Sequence, residues 1–174
     1  MEDVNKKPFW RKIKGEQLAD FLNEIRQQEQ AATENLAFVC IGTDRSSGDS
    51  LGPLVGSELE EAGYPYVIGT LKEPCDASNL EQRLLEIPQG SKVIAIDACL
   101  GQALSVGYYQ VSNQPILPGK SVGKVLPRVG DFTIAAIVNA DGPKQYAILQ
   151  TTSLFHVMGM AKQIAAAIQE VFPR

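Results

Sequence analysis

The sequence has few of the residues that build disulfide frameworks and metal clusters. Its 174 residues include three cysteines and one histidine. The cysteines, Cys40, Cys75 and Cys99, are odd in number, widely spaced and set in apolar surroundings. This pattern predicts neither a disulfide framework nor a CxxC metal site. Because free thiols suit a reducing compartment, we predict a cytoplasmic protein.

The sequence also lacks long apolar runs and concentrated charge. No apolar run reaches the roughly 18 residues that a transmembrane helix needs, and the N-terminus lacks the apolar stretch of a signal peptide. The formal net charge is -4, and basic residues are scattered except in KKPFWRKIK near the N-terminus. We therefore predict no membrane association and no nucleic-acid partner.

Three familiar enzyme motifs have little support in the sequence. GKSVGKV at residues 119–125 has only three residues between its glycines and has Val125 where a P-loop carries Ser or Thr. The stretch GTDRSSG lacks the GxGxxG spacing of a dinucleotide site. Ser50 does lie in a GxSxG pattern, GDSLG, but the single histidine of the chain would have to serve any serine triad. These observations argue against a nucleotide-binding enzyme and do not favour a serine hydrolase.

Hydrophobic patterns predict an α/β fold. Continuous apolar runs in LAFVCIG, YVIGTL and KVIAIDACL are typical of buried parallel strands. Helical patterns over 51–63 and 79–87 separate them, which predicts βαβ units and a mostly parallel sheet. Further strands are predicted in SVGYYQV, FTIAAIV and QYAILQT, and a closing helix over 154–172. The segment 101–150 is expected to add antiparallel strands at an edge.

The chain length and its 44% hydrophobic content predict one domain. We predict a mobile basic segment over residues 1–14 and a single α/β domain over residues 15–174. An amphipathic helix is expected over 16–28. Its apolar face would cover either its own domain or a neighbouring copy, so a homo-oligomer is possible on this pattern.

Two aspartates are expected to meet at the carboxyl end of the sheet, where open α/β sheets bind their ligands. Asp49 lies in the loop TDRSSGDS after the first strand, and Asp97 ends the third. Asp49 either projects into the crevice or caps the next helix, where Ser50 competes for the role. A charge directly after VIAI is costly to bury unless it is paired, hydrogen-bonded or protonated. Asp97 is therefore the stronger site candidate.

The single histidine, His156, is predicted in the first turns of the last helix. In one interpretation, His156 is an ordinary side chain that is packed in the protein or faces solvent. In the other, His156 joins Asp49 and Asp97 in a set of two carboxylates and one imidazole, which suits zinc, nickel or iron. We expect no cofactor, with a transition metal as the open exception.

Four motifs carry a family resemblance. CIGTDRSSGDSLGP, TLKEPCDASNL, VIAIDACLG and LPRVGDFTIAAIVN occur in the order found in the sporulation protein YyaC family of spore-forming Firmicutes, and the chain resembles that family over roughly residues 36–172. More distantly, GDSLGP and IDACLG are similar to the aspartate motifs of the germination protease of spores and of the nickel-hydrogenase maturation endopeptidases. The resemblance implies a three-layer phosphorylase/hydrolase-like α/β sandwich.

The resemblance also implies a function. Asp49 and Asp97 match the two catalytic aspartates of the germination protease, and in the hydrogenase endopeptidases similar positions bind nickel together with a histidine. We therefore predict a sporulation-associated, aspartate-dependent peptidase that acts on a protein or peptide, with Asp49 and Asp97 as an acid/base pair. Gly42, Gly48 and Gly52 are predicted to let the substrate backbone approach closely. The alternatives are a catalytically silent protein-binding module and a metal-binding protein of the maturation-endopeptidase type.

Overall fold

A computed structural model of the chain describes residues 6–119 and 125–174. The strands are β1 Trp10–Ile13, β2 Leu36–Cys40, β3 Val67–Ile68, β4 Lys92–Gly101, β5 Tyr109–Ser112 and β6 Phe132–Ala140. The helices are α1 Leu18–Glu29, α2 Leu51–Glu61, α3 Leu80–Leu84, α4 Gln145–Gln150 and α5 Leu154–Val171. Residues 120–124, most of the segment compared with a P-loop, lie outside the described residues.

The strands form one sheet in the order β1-β5-β6-β4-β2-β3. β3, β2, β4 and β6 pair in parallel, whereas β5 and β1 are antiparallel. All five residues of β2 are buried, as expected for a strand covered on both faces. The predicted α/β class, the mostly parallel sheet and the antiparallel edge are confirmed.

Helices and loops cover the two faces of the sheet unequally. α1, α2 and α5 pack on one face and bury the larger apolar cluster. The other face is covered by α3 and by residues around Val129, which form a smaller cluster with Val39, Ile41 and Ala95. Three layers result, with the thinner cover on the Ala95 face. No helix among the described residues is long and apolar enough to cross a membrane.

Two buried tyrosines fix α5 against the rest of the fold. Tyr109 of β5 is fully buried, and its hydroxyl donates to Gln163 Oε1 at 2.6 Å. Tyr64, which follows α2, donates to the carbonyl oxygen of Phe172 at 2.6 Å. α5 is thus held near its middle and at its C-terminal end.

The prediction of a strand in QYAILQT was wrong, because these residues form α4. The amide of Ile148 donates to the carbonyl of Lys144 at 3.0 Å, and Thr151 donates to Ala147 at 3.2 Å. Leu149 is the buried residue of this short helix. With one buried residue among six, the segment shows no hydrophobic pattern of helical period. Its Tyr and Ile residues favour a strand by composition, which is why the sequence predicted one.

Part of the predicted mobile segment 1–14 is ordered as an edge strand. Trp10 and Ile13 of β1 are the partners of Ser112 and Tyr109 of β5. The amide of Phe9 donates to Asn113 Oδ1 at 3.0 Å. Four residues with three exposed side chains carry little hydrophobic signal, so the strand is not evident in the sequence. Residues 1–5 are outside the described part.

β4 is longer than predicted, because it does not end at Asp97. Its pairing with β6 continues to Gly101, with a shift in register between Cys99 and Leu100. β2 stops earlier, where Cys40 is the partner of Ile96. Asp97 is therefore the first residue of β4 beyond the end of β2.

Candidate active site

The loop that follows β2 folds back on itself. We call residues 42–50 the Asp49 loop. The amide of Gly42 donates to the carbonyl of Cys75 at 2.9 Å, and the amide of Thr43 donates to the carbonyl of Asp49 at 3.1 Å. The second bond joins the two ends of the loop and brings Asp49 back to the end of β2.

The protein's own backbone occupies the space beside the three glycines predicted to admit a substrate. A Cβ atom on Gly42, whose φ is 147°, would lie 1.9 Å from the Asp49 carbonyl oxygen. On Gly52 it would lie 2.1 Å from the carbonyl oxygen of Ile41, and on Gly48 2.8 Å from that of Leu149. These contacts within the protein are sufficient reason for glycine at all three positions. That the glycines also let a substrate backbone approach stays a prediction.

Asp49 lies in a 3₁₀ turn, Gly48–Ser50, that leads into α2. α2 begins without a hydrogen bond from a capping side chain, so the structure does not show Asp49 as its cap. Burial raises the pKa of Asp49, and the nearby hydroxyl of Ser46 opposes this rise. Asp49 is thus a partly desolvated carboxyl beside the end of β2.

Asp97 lies on the same face of β4 as Ala95, the side with the thinner cover. Its Oδ1 accepts a hydrogen bond from the amide of Ala98 at 2.8 Å. Burial raises the pKa of Asp97 well above its usual range, the Ala98 bond lowers it, and the negative charge of Asp49 raises it further. Asp49 is thus near enough to Asp97 to influence its ionisation.

Cys75 lies near Asp97, although sequence reasoning did not assign it a place there. Its thiol is fully buried, and burial above all raises its pKa to about 11, with Asp97 among the smaller contributors. Cys75 is the bridge partner of Ile41, the residue just before the Asp49 loop. Cys75 lies within the sequence motif TLKEPCDASNL, and that motif could have indicated its place near the site. The motif forms the loop next to the Asp49 loop.

His156 does not join the two aspartates. Its amide donates to Oγ of Ser153, the N-cap of α5, at 3.3 Å. Its ring lies against Gly107, where a Cβ atom would be 3.7 Å from His156 Cε1. In the described part of the chain, no three or more His, Cys, Asp and Glu side chains are grouped so as to hold a metal ion. The predicted three-ligand set is therefore not assembled.

Comparisons with known proteins agree with the sequence motifs. A family model described as "Protein of unknown function (DUF1256)" matches residues 11–167. "Uncharacterized protein YyaC" of Bacillus subtilis (strain 168) is 46% identical over 144 residues, which are 80% of this chain and 70% of that protein. The resemblance to the YyaC family is thus confirmed.

A solved structure extends the comparison to the fold. The NiFe hydrogenase maturation protease HycI from Thermococcus kodakarensis KOD1 matches with a TM-score of 0.51 and 17% identity. The match covers 81% of this chain and 94% of that chain. At this identity the likeness shows a shared fold, in line with the more distant resemblance to maturation endopeptidases.

We predict that Gly42→Ala destabilises the protein by more than Gly63→Ala. Both glycines have positive φ, but a Cβ at Gly63 meets nothing within 4 Å, whereas at Gly42 it meets the Asp49 carbonyl oxygen. Gly63→Ala should cost about 1 kcal/mol from backbone strain, and Gly42→Ala about 2–4 kcal/mol, because overpacking adds to the strain. Urea unfolding measures both, and equal losses would contradict the crowding at Gly42.

We predict that Asp97→Asn reduces the loss of stability on raising the pH. A carboxyl whose pKa is raised by folding binds its proton more tightly in the folded state. Its stabilising contribution is complete below its unfolded pKa of about 3.9 and is lost as pH rises through the folded value. Asp97→Asn should therefore be more stable than wild type at pH 7.

Thermal unfolding between pH 4 and pH 8 measures this difference. The exposed Asp44 lies in the same loop as Asp49, and Asp44→Asn is the control that should follow the wild-type profile. Parallel profiles for Asp97→Asn and wild type would show that Asp97 is not desolvated in the folded protein.

Proposed function

This chain belongs to the family described as protein of unknown function (DUF1256), and we propose that it is an aspartate-dependent peptidase. The proposal rests on one observation: the loop that carries Asp49 returns to the end of β2, next to Asp97, and burial raises the pKa of each carboxyl. Two such groups do not ionise together readily, so one keeps its proton while the other is ionised. The fold shared with a maturation protease supports the peptidase part of this proposal.

Such a pair supplies both proton transfers that peptide hydrolysis needs. The ionised aspartate takes a proton from water as the water oxygen bonds to the peptide carbonyl carbon, and the protonated aspartate gives its proton to the carbonyl oxygen. The resulting diol collapses, and the C–N bond breaks. The first aspartate then protonates the leaving amine, while the second takes back a proton from a diol hydroxyl, so both return to their starting states.

The metal-binding alternative has less support from the residues present. His156 lies against Gly107 and does not supply a third ligand, and no group of three or more His, Cys, Asp and Glu side chains suited to a metal occurs in the described part of the chain. A peptidase that uses Asp49 and Asp97 as an acid/base pair is therefore our proposal.

The substrate class, the association with sporulation and the cellular location are proposed from the reaction, the motif resemblance and the cysteines. A protein or peptide substrate follows from the proposed reaction, and an association with sporulation follows from the motif resemblance. Cys40, Cys75 and Cys99 are free thiols, which supports the proposal of a cytoplasmic location.

The activity test uses the purified full chain and a proteome-derived peptide library, with new peptide termini identified by mass spectrometry. We expect cleavage by wild type and a loss of at least about 100-fold in Asp49→Asn and in Asp97→Asn, because each removes an acid/base group. Both variants should stay folded, since asparagine replaces each side chain with a neutral group of similar size.

Asp44→Asn is the matched control and should cleave at the wild-type rate. Full activity in either Asp49→Asn or Asp97→Asn would overturn the acid/base pair. No cleavage by wild type, together with capture of one intact partner in equal amount, would favour the protein-binding module instead. Restoration of a silent enzyme by nickel or zinc would favour the metal-dependent alternative.

A further inference from the structure

The Asp49 loop is tied to α4 and the turn after it by one side chain. The Ser47 hydroxyl lies 2.5 Å from the carbonyl oxygen of Thr152, 3.1 Å from that of Gln150 and 3.3 Å from that of Leu149. Within the described residues, it is the one side chain of the loop that hydrogen-bonds to this region. The last carbonyls of a helix lack hydrogen-bond donors within the helix. The Ser47 hydroxyl therefore also provides a donor at the C-terminal end of α4.

The region that receives Ser47 is itself fixed to the core. Leu149 is 4% exposed and belongs to the larger apolar cluster. The Thr152 hydroxyl donates to the carbonyl of Ile148 at 2.8 Å and accepts from Asn139 Nδ2 at 3.2 Å. Asn139 lies near the end of β6, the strand beside β4. Ser47 is therefore bound to a support that is continuous with the sheet carrying Asp97.

Asp49 follows Ser47 after a single residue, Gly48. Gly48 packs directly on Leu149, where its absent Cβ leaves room for a close backbone contact. The Ser50 hydroxyl donates back to the carbonyl of Ser47 at 2.6 Å, so the turn around Asp49 is built on Ser47. A shift of Ser47 would move Asp49, whereas Asp97 would stay with its strand.

We propose that Ser47 is a positioning residue that holds Asp49 at its working distance from Asp97 by anchoring the Asp49 loop to the end of α4 and Thr152. The anchoring is a property of the structure, and its catalytic consequence rests on the proposed peptidase function. Small displacements of a reacting group are costly in catalysis, so loss of the anchor should lower kcat and leave KM nearly unchanged.

The first measurement needs no substrate. Amide hydrogen exchange by NMR follows Thr43, whose amide donates to Asp49, and Ser50, whose amide donates to Ser47 at 3.4 Å. In Ser47→Ala these two amides should exchange about fivefold to tenfold faster, the usual effect of one lost hydrogen bond on local opening. Ser47→Thr keeps the hydroxyl and should restore slow exchange.

Thr151→Ala is the control within the same region. The Thr151 hydroxyl donates to the carbonyl of Ala147 at 2.9 Å and makes no hydrogen bond to the Asp49 loop. This variant should leave exchange at Thr43 and Ser50 at the wild-type rate. Core amides of β2 and β4 should exchange equally slowly in all variants, which separates a local effect from global unfolding.

The second measurement is the kinetic one, on a peptide that wild type cleaves. Ser47→Ala should lower kcat by about tenfold to 100-fold with KM within about twofold of wild type, and Ser47→Thr should recover most of the rate. Unchanged exchange at Thr43 and Ser50 in Ser47→Ala would overturn the anchor. Unchanged kcat despite faster exchange would overturn the positioning role. If wild type cleaves nothing, the peptidase proposal and the catalytic role of Ser47 both fail, while exchange still decides the anchor.

Discussion

The unequal length of two paired strands creates the candidate site. β2 ends at Cys40, opposite Ile96, whereas β4 continues to Gly101 because β6 supports its other side. Asp97 thus lies within a strand that fixes its backbone, yet has no strand beside it on the β2 side. The Asp49 loop occupies this space, since Gly42 turns the chain away at the end of β2. With β6 on one side and the Asp49 loop instead of a strand on the other, Asp97 has a fixed backbone and a second carboxyl close by.

The loop that fills this opening depends on contacts too close for ordinary side chains. The chain passes so near itself at Gly42 and Gly52 that a Cβ would lie about 2 Å from a carbonyl oxygen. Thr43 then closes the loop on Asp49, and Ser47 fixes its middle to α4 and Thr152. Glycines provide the approach and hydroxyls provide the bonds, so the position of Asp49 is set by backbone geometry more than by burial of apolar surface.

Much of this arrangement could be predicted from the sequence, and the omissions have physical causes. Apolar runs identify β2 and β4 because a strand covered on both faces needs them, and Asp97 is conspicuous after such a run. The extension of β4 beyond Asp97 is set by pairing with β6, a long-range effect that no local pattern reports. α4 and β1 were missed because each buries a single side chain. The roles of Cys75 and Ser47 depend on partners distant in sequence, so only the structure relates them to the site.

Desolvation opposes ionisation of both aspartates at this site, so the two carboxyls are not readily charged at the same time. Burial alone raises the pKa of both aspartates, and the charge of Asp49 adds to the effect on Asp97. The environments nevertheless differ: Asp97 accepts a hydrogen bond from the amide of Ala98, while Asp49 lies beside the Ser46 hydroxyl on a loop held by a separate anchor. A pair on one rigid strand would have a fixed separation. Because here one carboxyl belongs to the sheet and the other to a loop, their separation depends on the bonds that hold the loop, and so does any chemistry that requires both.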